Sequence, residues 1–237
     1  HNTWYVAAEP GEVTGKLLSR LILNEQVVIG RTQSGIPFAL EDRCPHLFAP
    51  LSLGRVVGKK IRCGYHGAEF DQTGKCVNVP GQTTAPSNAR IRSFPVVEKQ
   101  GYIWIWMGDP ALADPDDIED FHWMDDPNYR ARGEKLDLEG NYILLVENLL
   151  DLSHLSYIHP TTLGTDAVAE TPMKAEREGD LVRVTRWVLD NTPPPFFQRA
   201  GGFAPDQKID RWQIIEFTPP AFVRLDVGGA IAGTGAV

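Results

Sequence analysis

The chain has 237 residues, of which 42% are hydrophobic and 23% charged, and its formal net charge is −8. This length and composition are typical of a globular protein with room for two modest domains. The acidic balance argues against phosphate backbones and anionic lipid, so we expect neither a nucleic-acid nor a membrane partner. No apolar run approaches the ~20 residues that span a bilayer, and no signal-peptide pattern opens the chain, which predicts a cytoplasmic location.

Residues 4–108 consist of short β-like runs separated by turn residues. Hairpins are predicted at Ser34-Gly35, in QVVIGRTQSGIPFALED, and at Gln100-Gly101, in VVEKQGYIWIW. The following segment, GDPALADPDDIED, is rich in Asp and Pro and indicates a linker. We therefore predict an all-β domain over residues 1–110, with the boundary between Pro110 and Asp116.

The second half, residues 111–237, mixes helical and strand patterns. In NYILLVENLLDLSHLSYIH the apolar residues recur at helical spacing, which predicts one helix with Asn141 as its N-cap. The segments DLVRVTRWVLD and RWQIIEFTPPAFVRLDVG predict strands, the second of them a hairpin that turns at Pro219-Pro220. The prediction is an α+β domain that ends in a flexible tail, GGAIAGTGAV. The chain opens at His1 rather than Met and has no stop signal, so we expect this domain to be incomplete at its C-terminus.

Two short loops each carry one cysteine and one histidine. CPHLFAPLSLG contains Cys44 and His46, and CGYHGAEFD contains Cys63 and His66. A structural zinc site usually places two cysteines on one arm and two histidines on the other. The mixed arms instead favour a Rieske [2Fe–2S] cluster, in which two cysteines hold one iron and two histidines hold the other. A zinc knuckle and unligated core residues are the alternatives.

A second group of candidate ligands, Asp151, His154 and His159, lies in LLDLSHLSYIHP. On a continuous helix Asp151 and His154 share a face, and Pro160 disfavours further helix after His159. Fe(II) enzymes that activate O2 use two imidazoles and one carboxylate. From spacing alone Asp151 is the tempting third ligand. Two solvated histidines at a helix end are the alternative.

The two loops, together with ENLLDLSHLSYIHP, resemble the Rieske non-haem iron oxygenases, in particular the group that includes vanillate O-demethylase and dicamba monooxygenase. The resemblance covers essentially the whole chain. It implies an N-terminal all-β Rieske domain and a catalytic domain with a helix-grip-like antiparallel sheet. It also implies that Cys44 and Cys63 bind one cluster iron and that His46 and His66 bind the other.

The same resemblance implies that His154 and His159 bind a mononuclear Fe(II). In the family the carboxylate ligand is an aspartate further downstream than this chain extends, and Asp206, Asp210 and Asp226 are weaker candidates. Asp151 is implied to bridge His154 to a Rieske histidine, His66, of the next subunit in a homotrimer.

The function implied by the resemblance is that of an oxygenase component. It uses O2 and electrons from NAD(P)H, delivered by a separate flavin and iron–sulfur reductase, to O-demethylate a small aromatic acid such as vanillate. Ring or methyl hydroxylation of another aromatic acid, a Rieske electron-transfer protein and a zinc-binding module are the alternatives.

Two surface features extend this interpretation. Four basic residues flank the cluster loops and are expected to receive an acidic reductase surface, with plain solvation as the alternative; they are Arg43, Arg55, Lys59 and Lys60. The segment TPPPFFQRAGGFAPD predicts either a lid over an apolar substrate or simple loop packing.

Overall fold

The computed structural model describes residues 1–234, and contacts divide the chain into two compact units. The first unit is His1–Glu134 and the second begins at Lys135. Within residues 1–234 no helix is long and apolar enough to cross a membrane.

The first unit is all-β, as predicted, and its strands form three antiparallel sheets. The strands are β1 Trp4–Ala8, β2 Leu18–Ile22, β3 Glu25–Arg31, β4 Pro37–Glu41, β5 Arg55–Val57, β6 Lys60–Arg62, β7 Glu69–Phe70, β8 Cys76–Asn78, β9 Ser93–Phe94, β10 Val96–Lys99 and β11 Tyr102–Trp106. The sheet orders are β1-β11-β10, β2-β3-β4-β9 and β5-β6-β7-β8. The third sheet carries the second cysteine loop between β6 and β7.

Both hairpins predicted for this unit are confirmed. β3 pairs with β4 around Ser34-Gly35, and β10 pairs with β11 with Lys99 opposite Tyr102. Gln100 and Gly101 have φ values of 53° and 74°. Left-handed angles at both central positions are what a two-residue hairpin turn of type I′ requires.

The first unit extends past the predicted linker. The Trp4 Nε1–H donates to the Asp114 carbonyl oxygen at 2.7 Å, which ties the segment to β1. The Asp114 carboxylate in turn accepts from the Asp116 backbone N–H at 2.9 Å and caps a 3-10 turn. The Asp- and Pro-rich composition therefore builds packed turns, and the contacts divide the chain after Glu134 rather than within residues 110–116.

The second unit is α+β, as predicted. Its elements are α1 Tyr142–Leu150, α2 Leu155–Ile158, α3 Asp166–Glu170, β12 Lys174–Glu178, β13 Leu181–Asn191, α4 Pro195–Gly201, β14 Ile209–Thr218 and β15 Phe222–Ile231. The four strands form one antiparallel sheet in sequence order, and the predicted turn at Pro219-Pro220 joins β14 to β15. Helices α1 and α3 pack against this sheet.

Two details of the second unit differ from prediction. The single predicted helix is broken at Asp151, whose φ of −110° and ψ of 94° are extended, and a 3-10 turn precedes α2. The N-cap is as predicted, because the Asn141 side chain accepts from the Ile143 N–H at 3.0 Å. The tail is not flexible throughout, since Gly228–Ile231 complete β15, while residues 235–237 lie outside the described range.

Candidate metal centres and an adjoining cavity

The two cysteine loops place the two cysteines next to each other and the two histidines next to each other. Cys44 and Cys63 are buried, each 3% exposed, and their thiols interact directly. His46 and His66 are exposed, with ring centroids 4.7 Å apart. Within residues 1–234 no third Cys, His, Asp or Glu joins either pair in a metal-binding group. Two protein ligands per iron is the number that a Rieske cluster uses, because bridging sulfides complete each iron.

Both loops fold back on their cysteines in the same way. The Phe48 N–H donates to the Cys44 carbonyl at 2.8 Å, and the Gly67 N–H donates to the Cys63 carbonyl at 3.2 Å. Each histidine therefore lies in a closed turn that begins at its cysteine. The closed turn keeps each histidine near its own cysteine, although His46 follows Cys44 by two residues and His66 follows Cys63 by three.

Two glycines let the loop backbones come close. A Cβ on Gly54 would lie 2.1 Å from the Arg62 carbonyl oxygen, and a Cβ on Gly64 would lie 2.7 Å from the Leu53 carbonyl oxygen. Because both obstacles are backbone atoms, no side chain fits at either position without a shift of the loops. The same glycines and Cys63 line a cavity of about 330 Å³. The donor set of two buried thiols and two adjacent imidazoles fits a binuclear iron–sulfur cluster.

The Cys44 thiol lies in an environment that disfavours the free thiolate. Burial raises the pKa of Cys44, and the adjacent Cys63 thiol raises it further. A bound iron would replace both protons, which couples cluster binding to proton release. Cys76, predicted to be a structural thiol, is also buried, and its Sγ lies 3.7 Å from the Asn78 carbonyl oxygen.

The ligand assignment predicts the direction of a change in reduction potential. His66→Cys adds a thiolate charge to the cluster, so we expect its potential to fall toward the roughly −400 mV of plant-type all-cysteine clusters. Redox titration of the visible spectrum measures this, and His122→Cys, at an exposed histidine outside both sites, is the matched control. An unchanged potential in His66→Cys would show that His66 is not a ligand.

The surface around the two cluster histidines is largely apolar. The exposed apolar side chains there are Leu47, Phe48, Leu53 and Tyr65, each 58–78% exposed. The predicted basic surface is smaller than the sequence indicated. Lys60 is ion-paired with the buried carboxylate of Glu69, and Arg43 stacks over Phe48 at 3.7 Å. Of the four predicted cations, Arg55 and Lys59 are exposed and have neither the ion pair of Lys60 nor the ring contact of Arg43.

His154 is oriented by the backbone of the turn that breaks the helix. Its Nδ1 lies 2.7 Å from the Asp151 carbonyl oxygen, and because a carbonyl only accepts, Nδ1 carries the proton. Nε2 is left with a free lone pair, the tautomer that a metal-binding histidine usually has. The His159 ring centroid lies 5.7 Å from that of His154.

A tight loop holds His159. The Leu163 and Gly164 N–H groups donate to the His159 carbonyl at 3.1 and 2.9 Å. A Cβ on Gly164 would lie 2.0 Å from the Leu155 carbonyl oxygen, so only glycine lets this loop close on α2. The two-histidine arrangement fits two places of a mononuclear iron site.

The Asp151 carboxylate bonds the turn that follows it, and its predicted bond to His154 stays a prediction. Its Oδ1 accepts from the Ser153 N–H at 2.9 Å, and this bond holds the pKa of the carboxyl below its ordinary value. Asp151 and His154 do not share a helix face, because the chain leaves the helix at Asp151. The carboxylate is exposed in the single chain. Behind the turn, the buried Arg186 donates from Nη2 to the Ser153 Oγ at 2.7 Å.

Two of the three weaker candidates for a third ligand accept other hydrogen bonds. Asp210 accepts from the Asp190 and Gly233 N–H groups, both at 2.9 Å, and Asp226 accepts from Trp212 Nε1 at 2.8 Å. Over residues 1–234 no Asp or Glu joins the histidine pair in a metal-binding group.

A cavity of about 250 Å³ lies next to the histidine pair, and both His154 and His159 line it. The rest of its wall is mainly aliphatic, from α1, the 3-10 turn that follows it, α2 and β15: Leu149, Leu152, Leu155, Leu225 and Val227. The segment predicted to be a lid or packed loop contains α4, from which Phe197 contributes to the wall, whereas Phe196 is 46% exposed. Sequence reasoning did not single out Arg211, which also lines this cavity.

Comparisons with known proteins agree with both halves of this description. The Rieske [2Fe-2S] domain matches residues 3–95, and the vanillate O-demethylase oxygenase C-terminal domain matches residues 138–236. The toluene-4-sulfonate monooxygenase system iron-sulfur subunit of Comamonas testosteroni is 45% identical over 99% of this chain and 68% of its own length. A vanillate O-demethylase oxygenase subunit from a Pseudomonas strain is 42% identical over 99% of this chain and 67% of its own length.

A solved structure shows the same fold. Dicamba monooxygenase bound to 3,6-dichlorosalicylic acid superposes with a TM-score of 0.92 at 39% sequence identity, covering 98% of this chain and 68% of that protein. The chain thus spans about two thirds of the length of each of these relatives.

Proposed function

Since this chain belongs to the Rieske-type non-haem iron oxygenases, we propose that it O-demethylates a small aromatic acid, a methoxybenzoate of the vanillate type. It is an oxygenase component with a Rieske cluster and a mononuclear iron, and it depends on a separate reductase. The observation that carries the proposal is the cavity in which two histidines meet an apolar wall. We place the enzyme in the cytoplasm, where the thiol of Cys76, which is not a proposed ligand, stays reduced.

The residues of this chain have separable roles. When bound, the cluster supplies single electrons and the mononuclear iron supplies O2 activation. Cys44, Cys63, His46 and His66 would hold the first, and His154 and His159 would hold the second. The Asp151 carbonyl fixes the His154 ring and leaves Nε2 as its ligand atom. The leucine side chains exclude water and hold an aromatic ring beside the histidine pair.

The substrate chemistry follows from insertion of one oxygen atom. One atom of O2 enters a C–H bond of the methoxy methyl group, and the other leaves as water after uptake of two electrons and two protons. The product is a hemiacetal. The bond between its aryl oxygen and the former methyl carbon breaks, which gives a phenol and formaldehyde. The second candidate function is hydroxylation of an aryl methyl group, which is favoured by the 45% identity to a toluene-4-sulfonate monooxygenase subunit.

Turnover with paired substrates tests the proposal. The holoenzyme with NAD(P)H and a compatible reductase is offered 4-hydroxy-3-methoxybenzoate or 4-toluenesulfonate under O2. The proposal expects formaldehyde and phenol in equal amounts from the methoxybenzoate. A hydroxymethyl product from the sulfonate with no formaldehyde from the methoxybenzoate would favour the second candidate.

The proposed assembly is a homotrimer in which the Asp151 carboxylate contacts His66 of the next subunit. Three features of the single chain support it. The Asp151 carboxylate is exposed, His66 is exposed, and the cluster is surrounded by the exposed apolar residues Leu47, Phe48, Leu53 and Tyr65. An exposed apolar patch of this kind indicates a protein interface.

The reductase is proposed to approach the exposed cations Arg55 and Lys59. Lys59→Glu is expected to slow cluster reduction by about 10-fold at low salt, since steering charges mainly change association rates. Stopped-flow absorbance measures the rate, and Lys174→Glu, an exposed lysine in the second unit, is the control. Lys60 is unsuitable because its change would also unpair the buried Glu69. An unchanged rate in Lys59→Glu would reject this surface.

A further inference from the structure

We propose that Arg211 binds the carboxylate or sulfonate group of an aromatic acid in the cavity that also contains His154 and His159. This inference rests on the proposed function for the reaction, and it adds the group that selects the substrate class. Arg211 lies on β14, and its side chain comes from the sheet side of the cavity.

The Arg211 guanidinium has unused hydrogen-bonding capacity. The residue is 2% exposed, and its Nη2 donates to the Leu163 carbonyl oxygen at 3.1 Å. Its Nε and Nη1 have no acceptor in the part of the chain that the structure describes. Buried donors are almost always paired, because each unpaired group loses its hydration without compensation. A bound anion in the cavity would supply the missing acceptor.

The charge of Arg211 is also unmatched. No Asp or Glu of residues 1–234 lines the cavity. Burial lowers the pKa of Arg211 to about 10, so the group still carries its charge near neutral pH. Its guanidinium lies over the ring of Phe197 at 4.5 Å, which holds it in place but does not neutralise it.

The neighbouring arginines of the same sheet have partners. Arg183 and Arg224 both pair with Glu216. Arg186 is buried like Arg211 and its Nε also lacks an acceptor within residues 1–234, but both of its terminal nitrogens donate, to Gln213 and to Ser153. Arg211 alone of these four combines burial, two nitrogens without an acceptor and a position in the cavity wall.

The chemistry of the site selects a single-ring aromatic anion. An oxygen of a carboxylate or sulfonate can accept from Nε or from Nη1, the two nitrogens that lack an acceptor among the described residues. The cavity of about 250 Å³ is smaller than the roughly 300–1,000 Å³ of most ligand pockets, so it suits a small ligand. When Arg211 binds the anionic group of the ligand, the aromatic ring of the ligand lies in the cavity that His154 and His159 also line.

Binding of matched acids and amides tests the role of Arg211 without turnover. Isothermal titration of the holoenzyme, without reductase, compares 4-methoxybenzoate with 4-methoxybenzamide and 4-toluenesulfonate with 4-toluenesulfonamide. The parent is expected to prefer each acid. Arg211→Met should weaken acid binding by about 10- to 100-fold, the range for a hydrogen bond to a charged group, and leave amide binding within about twofold. The control Arg183→Met should keep the parent's preference.

Thermal unfolding separates recognition from a structural role. Because an uncompensated buried charge destabilises a fold, Arg211→Met should not lower the Tm of the ligand-free protein. Arg211→Lys should keep part of the acid preference, and it decides the matter if Arg211→Met does not fold. The inference is overturned if the parent binds amide as tightly as acid, if Arg211→Met keeps the acid preference, or if it loses acid and amide alike.

These outcomes are distinct from those of the proposed function. One result would be a preference for the acid that Arg211→Met loses, together with no release of formaldehyde by the parent. That result would support the recognition site and reject the demethylase reaction. If the parent releases as much formaldehyde from the amide as from the acid and binds both with equal affinity, the demethylase reaction is supported and the recognition site is rejected.

Discussion

His154→Ala is expected to abolish product formation and to leave the visible spectrum of the cluster unchanged. The substitution removes one of the two imidazoles whose rings lie 5.7 Å apart at the cavity. All four proposed cluster ligands belong to the first unit, whereas His154 belongs to the second. Iron analysis should show the loss of about one iron per chain, while the acid-labile sulfide content stays that of the parent.

The matched control for this experiment is His122→Ala. His122 is exposed, contacts Asp120 and lies outside both histidine pairs, so its loss should change neither metal content nor turnover. Loss of the cluster together with the mononuclear iron in His154→Ala would contradict the assignment of two separate metal sites.

Asp151→Asn is expected to keep both metals and lower turnover by about 10- to 100-fold, the usual effect of removing a group that supports metal ligands. The amide oxygen can still accept from the Ser153 N–H, so the turn that orients His154 should survive. The substitution removes the negative charge of the carboxylate, which is proposed to accept a hydrogen bond from His66 of the next subunit. Reductase-driven reduction of the cluster should proceed at the parent rate, and its reoxidation by substrate and O2 should be slow.

Asp180→Asn is the control for Asp151→Asn, because Asp180 is a highly exposed aspartate of the same unit. Parent turnover in Asp151→Asn, or full activity of the intact enzyme as a monomer, would reject both the bridge and the trimer.

Within each loop, the geometry of the proposed cluster ligands could be predicted from the sequence because it is local. Each histidine follows its cysteine within one closed turn, so spacing along the chain nearly determines spacing in the fold. The hairpin at Gln100-Gly101 was predictable for the same reason. The break at Asp151 was not predicted, because the apolar spacing continues through it. The Asp151 carboxylate accepts from the Ser153 N–H and so competes with helix formation. The spacing of apolar residues carries no information about this bond.

Features that depend on distant contacts could not be predicted. β12 has the sequence KAERE, whose charged residues are poor strand formers, and it forms by pairing with β13 at the edge of the sheet. Arg211 is buried only because Leu163 and Phe197, from two other segments, enclose it. A charged residue in a strand gives no signal of burial by itself, so the candidate anion site became apparent only in the folded chain.

Iron and acid-labile sulfide analysis, together with the visible spectrum of the purified protein, tests the central claim most directly. That claim is that Cys44, His46, Cys63 and His66 hold a Rieske cluster and that His154 and His159 hold a second iron. The account predicts a coloured protein with about two acid-labile sulfides per chain, and the loss of that colour in Cys44→Ser. A colourless protein that contains zinc and no sulfide would contradict it.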